Sequence, residues 1–258
     1  FLCAFIPGLL AALGYRVAIR LYVRLNQNSG PIKVRVPWKD RMYLFKNIWH
    51  IILIFVVMIG GIYMGFFTPT EGAAIGAAGT GIIAITNKSF NIKSFIEVIE
   101  STAVTTGMIF FVLLGAEFFN SFIALTQLPN LLTEFSKENN LEPLIVVACI
   151  MILYLFLGCL MDSLAMILLT IPVFFPLVMS LDFGISPEET AIWFGILTLV
   201  VVEVGLITPP VGLNVFIINK MAKDVPIIDT FKGVIPFLLS DIIRIILLFS
   251  FPSITLII

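Results

Sequence analysis

Two polar interruptions inside long apolar stretches contain the residues of this sequence that are best suited to bind an ion. They combine glycine, proline and oxygen-bearing side chains, at Gly158, Asp162 and Ser163 in the first interruption and at Gly205, Thr208, Pro209, Pro210 and Asn214 in the second. Two successive prolines remove two backbone donors and prevent a continuous helix. The carbonyl oxygens freed in this way suit a hard cation such as Na⁺ and add no fixed charge. The pattern predicts that the two interruptions face each other and form a Na⁺ site.

The second interruption is expected to supply the direct ligands of this site. We assign them to the backbone of Gly205, Ile207 and Thr208, while Pro209 keeps the chain open and Asn214 adds a side-chain oxygen. The first interruption contributes the backbone at Gly158 and the side chains of Asp162 and Ser163. Both interruptions also have a simpler interpretation as kinks that serve helix packing.

Asp162 has two possible roles at this position. A carboxylate deep in a membrane is costly unless it is paired, hydrated or functional. Aspartate is also well suited to cap the helix that would begin at Ser163. We expect Asp162 to cap this helix or to orient the ligands, and capping does not exclude a contribution to cation binding.

Enzymatic chemistry and resident cofactors are not predicted. His50 is the single histidine, and beside Trp49 it is typical of a residue at a membrane edge. The three cysteines show no paired spacing of the kind that disulfides or zinc sites require. A glycine-rich phosphate loop followed by Lys-Ser/Thr is missing from the sequence, so ATP hydrolysis by this chain has no support.

The composition indicates a membrane protein built from helices. Of 258 residues, 60% are hydrophobic and 12% are charged, and the mean hydropathy is +1.12. Such a chain cannot cover itself with polar surface, so lipid must be its main solvent. The apolar runs are unbroken rather than alternating, which favours helices over a barrel. We therefore predict an all-α polytopic membrane protein.

Basic residues are concentrated in the connections. Eight of the 15 Lys and Arg lie between Arg16 and Lys46, and Lys88 and Lys93 flank the next connection. Short basic connections mark the cytoplasmic side, so residues 24–46 and 87–94 are predicted to be cytoplasmic. Arg16, Arg20 and Arg24 recur every four residues, as in a helix face that reaches lipid head groups. Nucleic-acid binding is excluded because the basic segment lies between two membrane spans.

Six apolar segments are expected to form the membrane part. They are residues 1–23, with a break at Pro7-Gly8, then 47–67, 95–128, 143–180, 190–222 and 233–257. Glycine and polar residues inside the third segment predict a re-entrant hairpin within residues 100–128, with its turn near Gly115 to Ser121. The fourth and fifth segments exceed the roughly 20 residues of one span and are predicted to be broken helices. Ser186-Pro187 with Glu188-Glu189 predicts a helix start.

Three stretches of the sequence resemble the large membrane subunit of tripartite ATP-independent periplasmic (TRAP) transporters. They are Gly60-Gly61-Ile62-Tyr63-Met64-Gly65-Phe66-Phe67-Thr68-Pro69-Thr70-Glu71, then Met161-Asp162-Ser163-Leu164-Ala165-Met166-Ile167-Leu168-Leu169-Thr170, and Trp193-Phe194-Gly195 continuing to Gly205-Leu206-Ile207-Thr208-Pro209-Pro210-Val211-Gly212-Leu213-Asn214. The resemblance covers nearly the whole chain, and the third stretch is its most specific part.

The resemblance implies a Na⁺-coupled secondary transporter of the bacterial inner membrane that works as an elevator. Such a subunit has two inverted repeats, and it acts with a small membrane subunit and a periplasmic binding protein that delivers an organic acid. This chain would hold the second repeat only, as a fragment of a longer polypeptide. By this comparison residues 1–94 are scaffold spans with a connecting arm, 95–232 are the transport repeat and 233–258 are a C-terminal transmembrane helix.

Two other functions remain open at this point. One is an ion-coupled carboxylate symporter or anion carrier of related architecture that needs no binding protein. The other is a membrane subunit with a structural role, in which the two interruptions only serve packing. Loss of uptake on substitution of Asp162 or Thr208 would argue against the structural role.

Overall fold

The computed structural model describes residues 2–25, 37–88, 90–222 and 225–256, and every regular element in these ranges is helical. A short 3₁₀ turn, Leu2–Ala4, comes first. The α-helices that follow are α1 (Phe5–Leu25), α2 (Trp38–Tyr63), α3 (Pro69–Thr86), α4 (Ile92–Thr126), α5 (Leu128–Glu138), α6 (Pro143–Gly158), α7 (Ser163–Met179), α8 (Pro187–Gly205), α9 (Leu213–Met221), α10 (Ile227–Ser250) and α11 (Ser253–Leu256).

Two compact units divide the chain. One comprises Phe1–Gly30 and Phe110–Ile258, and the other comprises Pro31–Ile109. Within the described residues, α1, α4 and α10 are each long and apolar enough to cross a membrane. The expected all-helical, multi-pass membrane architecture is confirmed at this level. The division into scaffold, transport repeat and C-terminal helix stays a prediction.

Small residues allow α2 and α3 to pack closely in the unit of residues 31–109. The Cα of Gly72 faces the side chains of Ile62 and Met58, so that an added methyl group at position 72 would be 2.9 Å from the Ile62 side chain. A capping box starts α3, in which the Thr68 hydroxyl accepts from the Glu71 amide and the Glu71 carboxylate accepts from the Thr68 amide. A new helix therefore starts directly after the predicted apolar segment 47–67.

The hairpin predicted within residues 100–128 is wrong. Ile92–Thr126 is one helix of 35 residues, and its polar positions do not interrupt it. Glu117 lies exposed on the helix surface, and Asn120 uses its amide to contact another helix. The chain leaves the helical conformation only at Gln127, which has a φ of 56°. Glycine and polar side chains are compatible with a helix when the polar groups find solvent or a partner.

A hairpin is instead formed by α6 and α7. Tyr154, one turn before the end of α6, accepts a hydrogen bond from the Thr170 hydroxyl at 2.9 Å, and its ring lies 5.8 Å from that of Phe174. If α7 continued in the direction of α6, Thr170 would lie about 24 Å beyond Tyr154, since a helix rises about 1.5 Å per residue and the two residues are 16 apart. The chain therefore reverses direction between Gly158 and Ser163.

This reversal corrects the interpretation of residues 143–180 as one span broken near its middle. The two predicted halves exist, but they lie side by side. The second predicted broken segment is also split, into α8 and α9, and its start is the expected capping box of Ser186 and Glu189. Helices α6 and α8 run parallel, because their C-terminal ends meet at Gly158 and Gly205.

The hydrophobic core lies among α6, α7 and α8. Trp193 of α8 is fully buried there, and its indole nitrogen donates to the Leu248 carbonyl of α10 at 2.9 Å. The Phe183 ring, in the connection after α7, packs edge-on against the Trp193 ring at 5.3 Å. These contacts fix the hairpin and α8 as one packed group and attach α10 to it.

Helices α1 and α10 form an antiparallel pair in the same unit. The turn Leu2–Ala4 before α1 packs against α11, which follows α10. Helix α1 is continuous from Phe5, which corrects the predicted break at Pro7-Gly8, because proline is tolerated in the first turn. Helix α10 extends over Ile227–Ser250 rather than 233–257.

A buried network joins the two helices of this pair. The Asp241 carboxylate accepts from the Tyr15 hydroxyl at 2.8 Å and pairs with Arg244 at 2.9 Å. Spacing along α10 predicts the Asp241–Arg244 pair, whereas Tyr15 is 226 residues away in sequence.

The structure describes different shares of the two segments predicted to be cytoplasmic. Of residues 24–46, the part from 26 to 36 lies outside the described residues, and Trp38 onward belongs to α2. Of residues 87–94, the last three begin α4, and residue 89 lies outside the described residues. The side of the membrane on which either segment lies stays a prediction.

Candidate functional site

The two predicted interruptions meet through their glycines. A methyl group added to Gly205 would lie 2.7 Å from the Gly158 Cα and 3.1 Å from the Leu155 carbonyl oxygen. A methyl group on Gly158 would lie 3.0 Å from the Gly205 Cα and 3.1 Å from the Val202 carbonyl oxygen. Only glycine allows two backbones to approach this closely. The two interruptions therefore meet at Gly158 and Gly205, and the Na⁺ site predicted between them stays a prediction.

Cys159 adds a second link between the interruptions. Its thiol is buried and contacts the Leu155 carbonyl oxygen at 3.2 Å and the Pro209 carbonyl oxygen at 3.7 Å. By spacing alone this cysteine belongs to no disulfide or zinc site, and sequence reasoning did not connect it with Pro209. The available signal was its place beside Gly158 in the first interruption, where a small, weak donor fits against a free carbonyl.

Backbone hydrogen bonds hold the second interruption in a compact turn. The amides of Ile207 and Thr208 donate to the carbonyls of Val204 and Gly205 at 3.2 and 3.0 Å. The amide of Asn214 donates to the Leu206 carbonyl at 3.1 Å, so the two ends of the segment lie close together. The peptide bond between Pro209 and Pro210 is cis.

Gly212 begins α9 in a left-handed conformation. Its φ is 57°, a conformation that glycine adopts readily. A methyl group here would lie 3.1 Å from the Phe231 ring and 3.3 Å from the Thr208 carbonyl oxygen. Glycine at this position therefore lets the chain turn tightly into α9 in the narrow space beside Thr208 and the Phe231 ring of α10.

Oxygen atoms remain available at this turn. The carbonyls of Ile207 and Thr208 accept no hydrogen bond from any described residue. The Thr208 hydroxyl donates to the Val204 carbonyl at 2.6 Å, which uses its proton and leaves its lone pairs free. Ile207 and Thr208 are half-buried, so these oxygens lie at the edge of the packed region. The arrangement offers neutral oxygen ligands to a hard cation.

Asp162 is the cap of α7. Its carboxylate accepts from the Leu164 amide at 3.1 Å, and its side chain is otherwise exposed. This confirms the capping role, which the sequence left as one of two. Among the described contacts, none joins Asp162, Ser163 or the Asn214 side chain to the opposite interruption. Of the predicted residues, the structure brings together Gly158, Gly205 and Pro209 most directly.

Two contacts outside the predicted set support the hairpin. The Asn120 amide of α4 donates to the Leu168 carbonyl of α7 at 3.3 Å. Leu168 needs this donor because its helical partner would be the amide of residue 172, which is a proline. The Tyr154–Thr170 bond ties the two arms together. The sequence signal for the contact of Asn120 with Leu168 was the proline four residues after Leu168, which leaves that carbonyl without its helical donor.

The charge around the candidate site is low. Asp162 and Glu203 are the nearest carboxylates along the chain, and both are exposed. No group of three or more His, Cys, Asp or Glu side chains able to hold a metal occurs among the described residues. The oxygen atoms of the site are thus mostly carbonyls, which distinguishes it from a transition-metal site.

Comparison with known proteins gives a consistent result. Residues 1–254 match the family model described as "Tripartite ATP-independent periplasmic transporter, DctM component". The chain is 28% identical to the sialic acid TRAP transporter large permease protein of Vibrio cholerae, over 99% of this chain and 58% of that protein. It is 30% identical to the C4-dicarboxylate TRAP transporter large permease protein of Pseudomonas aeruginosa, over the same shares.

A third relative is the sialic acid TRAP transporter permease protein of Haemophilus influenzae. The identity is 30%, and the match covers 98% of this chain and 40% of that protein. The chain thus spans between two fifths and three fifths of the length of these relatives.

Proposed function

Because the chain belongs to the family of DctM components of tripartite ATP-independent periplasmic transporters, we propose that it is part of the large membrane subunit of a transporter that imports an organic acid. The match over residues 1–254 carries this proposal. The named substrates of the relatives, sialic acid and C4-dicarboxylates, are carboxylates, which supports an organic acid as the substrate class. Proteins of this family are transport subunits rather than enzymes.

The partners and the location follow from the same family. A periplasmic binding protein would deliver the organic acid, and a small membrane subunit would complete the complex in the bacterial inner membrane. Helices α1, α4 and α10, each able to cross a membrane, support the membrane location. A carrier that needs no binding protein would transport at an equal rate when that protein is left out.

Na⁺ is proposed as the coupling ion, bound where the two interruptions meet. The free carbonyls of Ile207 and Thr208 and the lone pairs of the Thr208 hydroxyl support this assignment. The hairpin tip at Gly158 would form the wall of the site, and Asp162 would hold the first turn of α7 in place through its cap. Transport would then require that bound Na⁺ stabilises one of the positions that the hairpin tip takes relative to the turn at Ile207 and Thr208.

An elevator mechanism is proposed for the movement. The group of α6, α7 and α8 shares one core, which supports its moving as a body. The alternative in which the interruptions only pack is also compatible with the close contact of Gly158 and Gly205, so substitution of the oxygen ligands is the deciding test.

Thr208→Val tests the ion site because it removes the hydroxyl and keeps the shape of the side chain. In the complete transporter, reconstituted with its binding protein, we expect the Na⁺ concentration for half-maximal activation to rise about tenfold. This corresponds to a loss of about 1.4 kcal/mol of Na⁺ binding free energy, the size expected for one ligand. Asp162→Asn should have a smaller effect through the cap. Thr102→Val is the matched control, since Thr102 makes the same bond to a carbonyl four residues earlier, on α4.

Two readouts make the result independent of an unknown substrate. Uptake is measured with radiolabelled sialic acid and with succinate, and Na⁺ binding is measured as the rise in the melting temperature of the purified transporter with added NaCl against KCl. Unchanged Na⁺ dependence in both Thr208→Val and Asp162→Asn would show that the interruptions serve packing alone.

A further inference from the structure

Helices α1 and α10 leave an open apolar groove along their contact. The groove has a volume of about 620 Å³ and is lined by residues of α1 between Leu10 and Leu25 and residues of α10 between Pro236 and Leu247. At about 1.5 Å per residue, the α1 side of the groove is roughly 22 Å long. This exceeds the roughly 15 Å of one leaflet of the hydrocarbon core, so the groove can hold an extended acyl chain.

Two arginines flank the groove near the C-terminal end of α1. Arg20 follows the groove residue Val17 by three positions, and Arg24 follows the groove residue Leu21 by three, so each lies beside the groove on the helix surface. Both side chains are exposed, and neither forms an ion pair with a described residue. Their spacing of four residues places the two guanidinium groups on one face, one turn apart.

The charges of α10 are already neutralised within that helix. Arg244 lines the groove further along, but it pairs with Asp241 at 2.9 Å, and Tyr15 donates to the same carboxylate. Near the start of α10, Lys232 pairs with Asp229 at 3.2 Å. The charge that remains unmatched on the described helix pair is therefore positive and belongs to the arginines of α1, of which Arg20 and Arg24 lie closest to its C-terminal end.

We propose that the groove is a binding site for an anionic phospholipid, with one acyl chain in the groove and the phosphate between Arg20 and Arg24. Guanidinium groups bind phosphate oxygens in a paired geometry, and long arginine side chains at a helix end reach the head-group level. The apolar lining suits the chain, and the unmatched positive charge selects an anionic head group over a zwitterionic one.

Lipid photolabelling of the complete transporter tests this site. The transporter is placed in nanodiscs that contain trace phosphatidylglycerol or phosphatidylcholine with a diazirine on the acyl chain, and the adducts are mapped by mass spectrometry. Phosphatidylglycerol adducts should be concentrated on the groove residues of α1 and α10, severalfold above those on the exposed face of α4 at Phe110 and Phe111. Phosphatidylcholine should label the groove much less.

Variants separate the head-group contact from the groove. The double substitution Arg20→Gln with Arg24→Gln should lower phosphatidylglycerol labelling of the groove about tenfold, while phosphatidylcholine labelling stays unchanged. Arg16→Gln is the matched control, because it removes the same charge one turn further from the C-terminal end of α1 than Arg20. Val17→Trp, which fills the groove, should reduce labelling by both lipids.

Three results would overturn the proposal. Equal labelling of the groove by both lipids would show that it holds bulk lipid without selection. Labelling no higher than on α4 would show that it is not a site. An unlabelled groove in the wild-type transporter would show that a protein helix covers it. The wild-type comparison of the two lipids gives an answer even if a variant fails to fold.

Discussion

At the scale of single residues, Pro172 explains a contact that crosses between distant parts of the chain. Proline has no amide proton, so the Leu168 carbonyl in α7 lacks its normal helical donor. Asn120 of α4 supplies the donor from 48 residues away. The side-chain oxygen of Asn120 is buried without a partner among the described residues, so the amide is held there for its donor group. The hydrogen bond that Pro172 removes from α7 is thereby replaced by an attachment to α4.

A double-substitution cycle tests this explanation. Asn120→Leu should destabilise the complete subunit by about 1 kcal/mol, because the Leu168 carbonyl then loses its donor. In a Pro172→Ala background residue 172 supplies an amide proton, so Asn120→Leu should cost much less. The measurement is the melting temperature in detergent for all four proteins, with the exposed Glu117→Gln on α4 as control. Equal costs in both backgrounds would contradict the proposed pairing.

At the scale of elements, the hairpin of α6 and α7 and the helix α8 are held together at a glycine contact. Parallel α6 and α8 end at Gly158 and Gly205, and each glycine faces backbone atoms of the other helix. Backbone atoms cannot rotate away as a side chain can, so the contact sets how close the two ends lie. That distance determines where the hairpin tip stands relative to the turn at Ile207 and Thr208.

Gly205→Ala should therefore be destabilising. The added methyl group meets Gly158 and the Leu155 carbonyl, and overpacking of this kind costs about 1–3 kcal/mol. Gly195→Ala in the same helix is the matched control, since that position has open space and alanine favours a helix by about 1 kcal/mol. The melting temperature of the purified subunit should fall for Gly205→Ala and should stay level or rise for Gly195→Ala. A similar effect at both positions would argue against the glycine contact.

At the scale of the whole molecule, the distribution of charge predicts how the chain is oriented. The basic connections fall at residues 24–46 and 87–94, and α4, which follows the second, is long enough to cross the bilayer. If both connections are cytoplasmic, the connection between α5 and α6 lies on the opposite side. This places Asn139, which is exposed, at the periplasmic surface.

Thiol labelling in intact cells checks this orientation. The native Cys3, Cys149 and Cys159 are first replaced, and single cysteines are then introduced as Asn28→Cys, Lys88→Cys and Asn139→Cys in the complete transporter. An impermeant maleimide should label position 139 quickly and leave positions 28 and 88 unlabelled until the cells are opened. Rapid labelling at both 28 and 88 would mean that the chain has the reverse orientation.

Features that depend on local composition could be predicted from the amino-acid sequence. Apolar runs without alternation predict membrane helices, and local propensities place the starts at Ser163 and Ser186 and the ends near Gly158 and Gly205. Capping by Asp162 and the pair of Asp241 and Arg244 depend only on near neighbours in the chain. These predictions hold because the groups involved are within two or three residues of each other.

The direction of the chain after each break could not be predicted, because it depends on long-range packing. A break shows where a helix stops, but the path beyond it depends on which apolar faces pack, and those faces belong to distant residues. For this reason the hairpin lies at α6 and α7 and not within residues 100–128, and Tyr15, Asn120 and Cys159 acquire partners that sequence spacing does not reveal. The close contact of Gly158 with Gly205 follows from the same long-range packing.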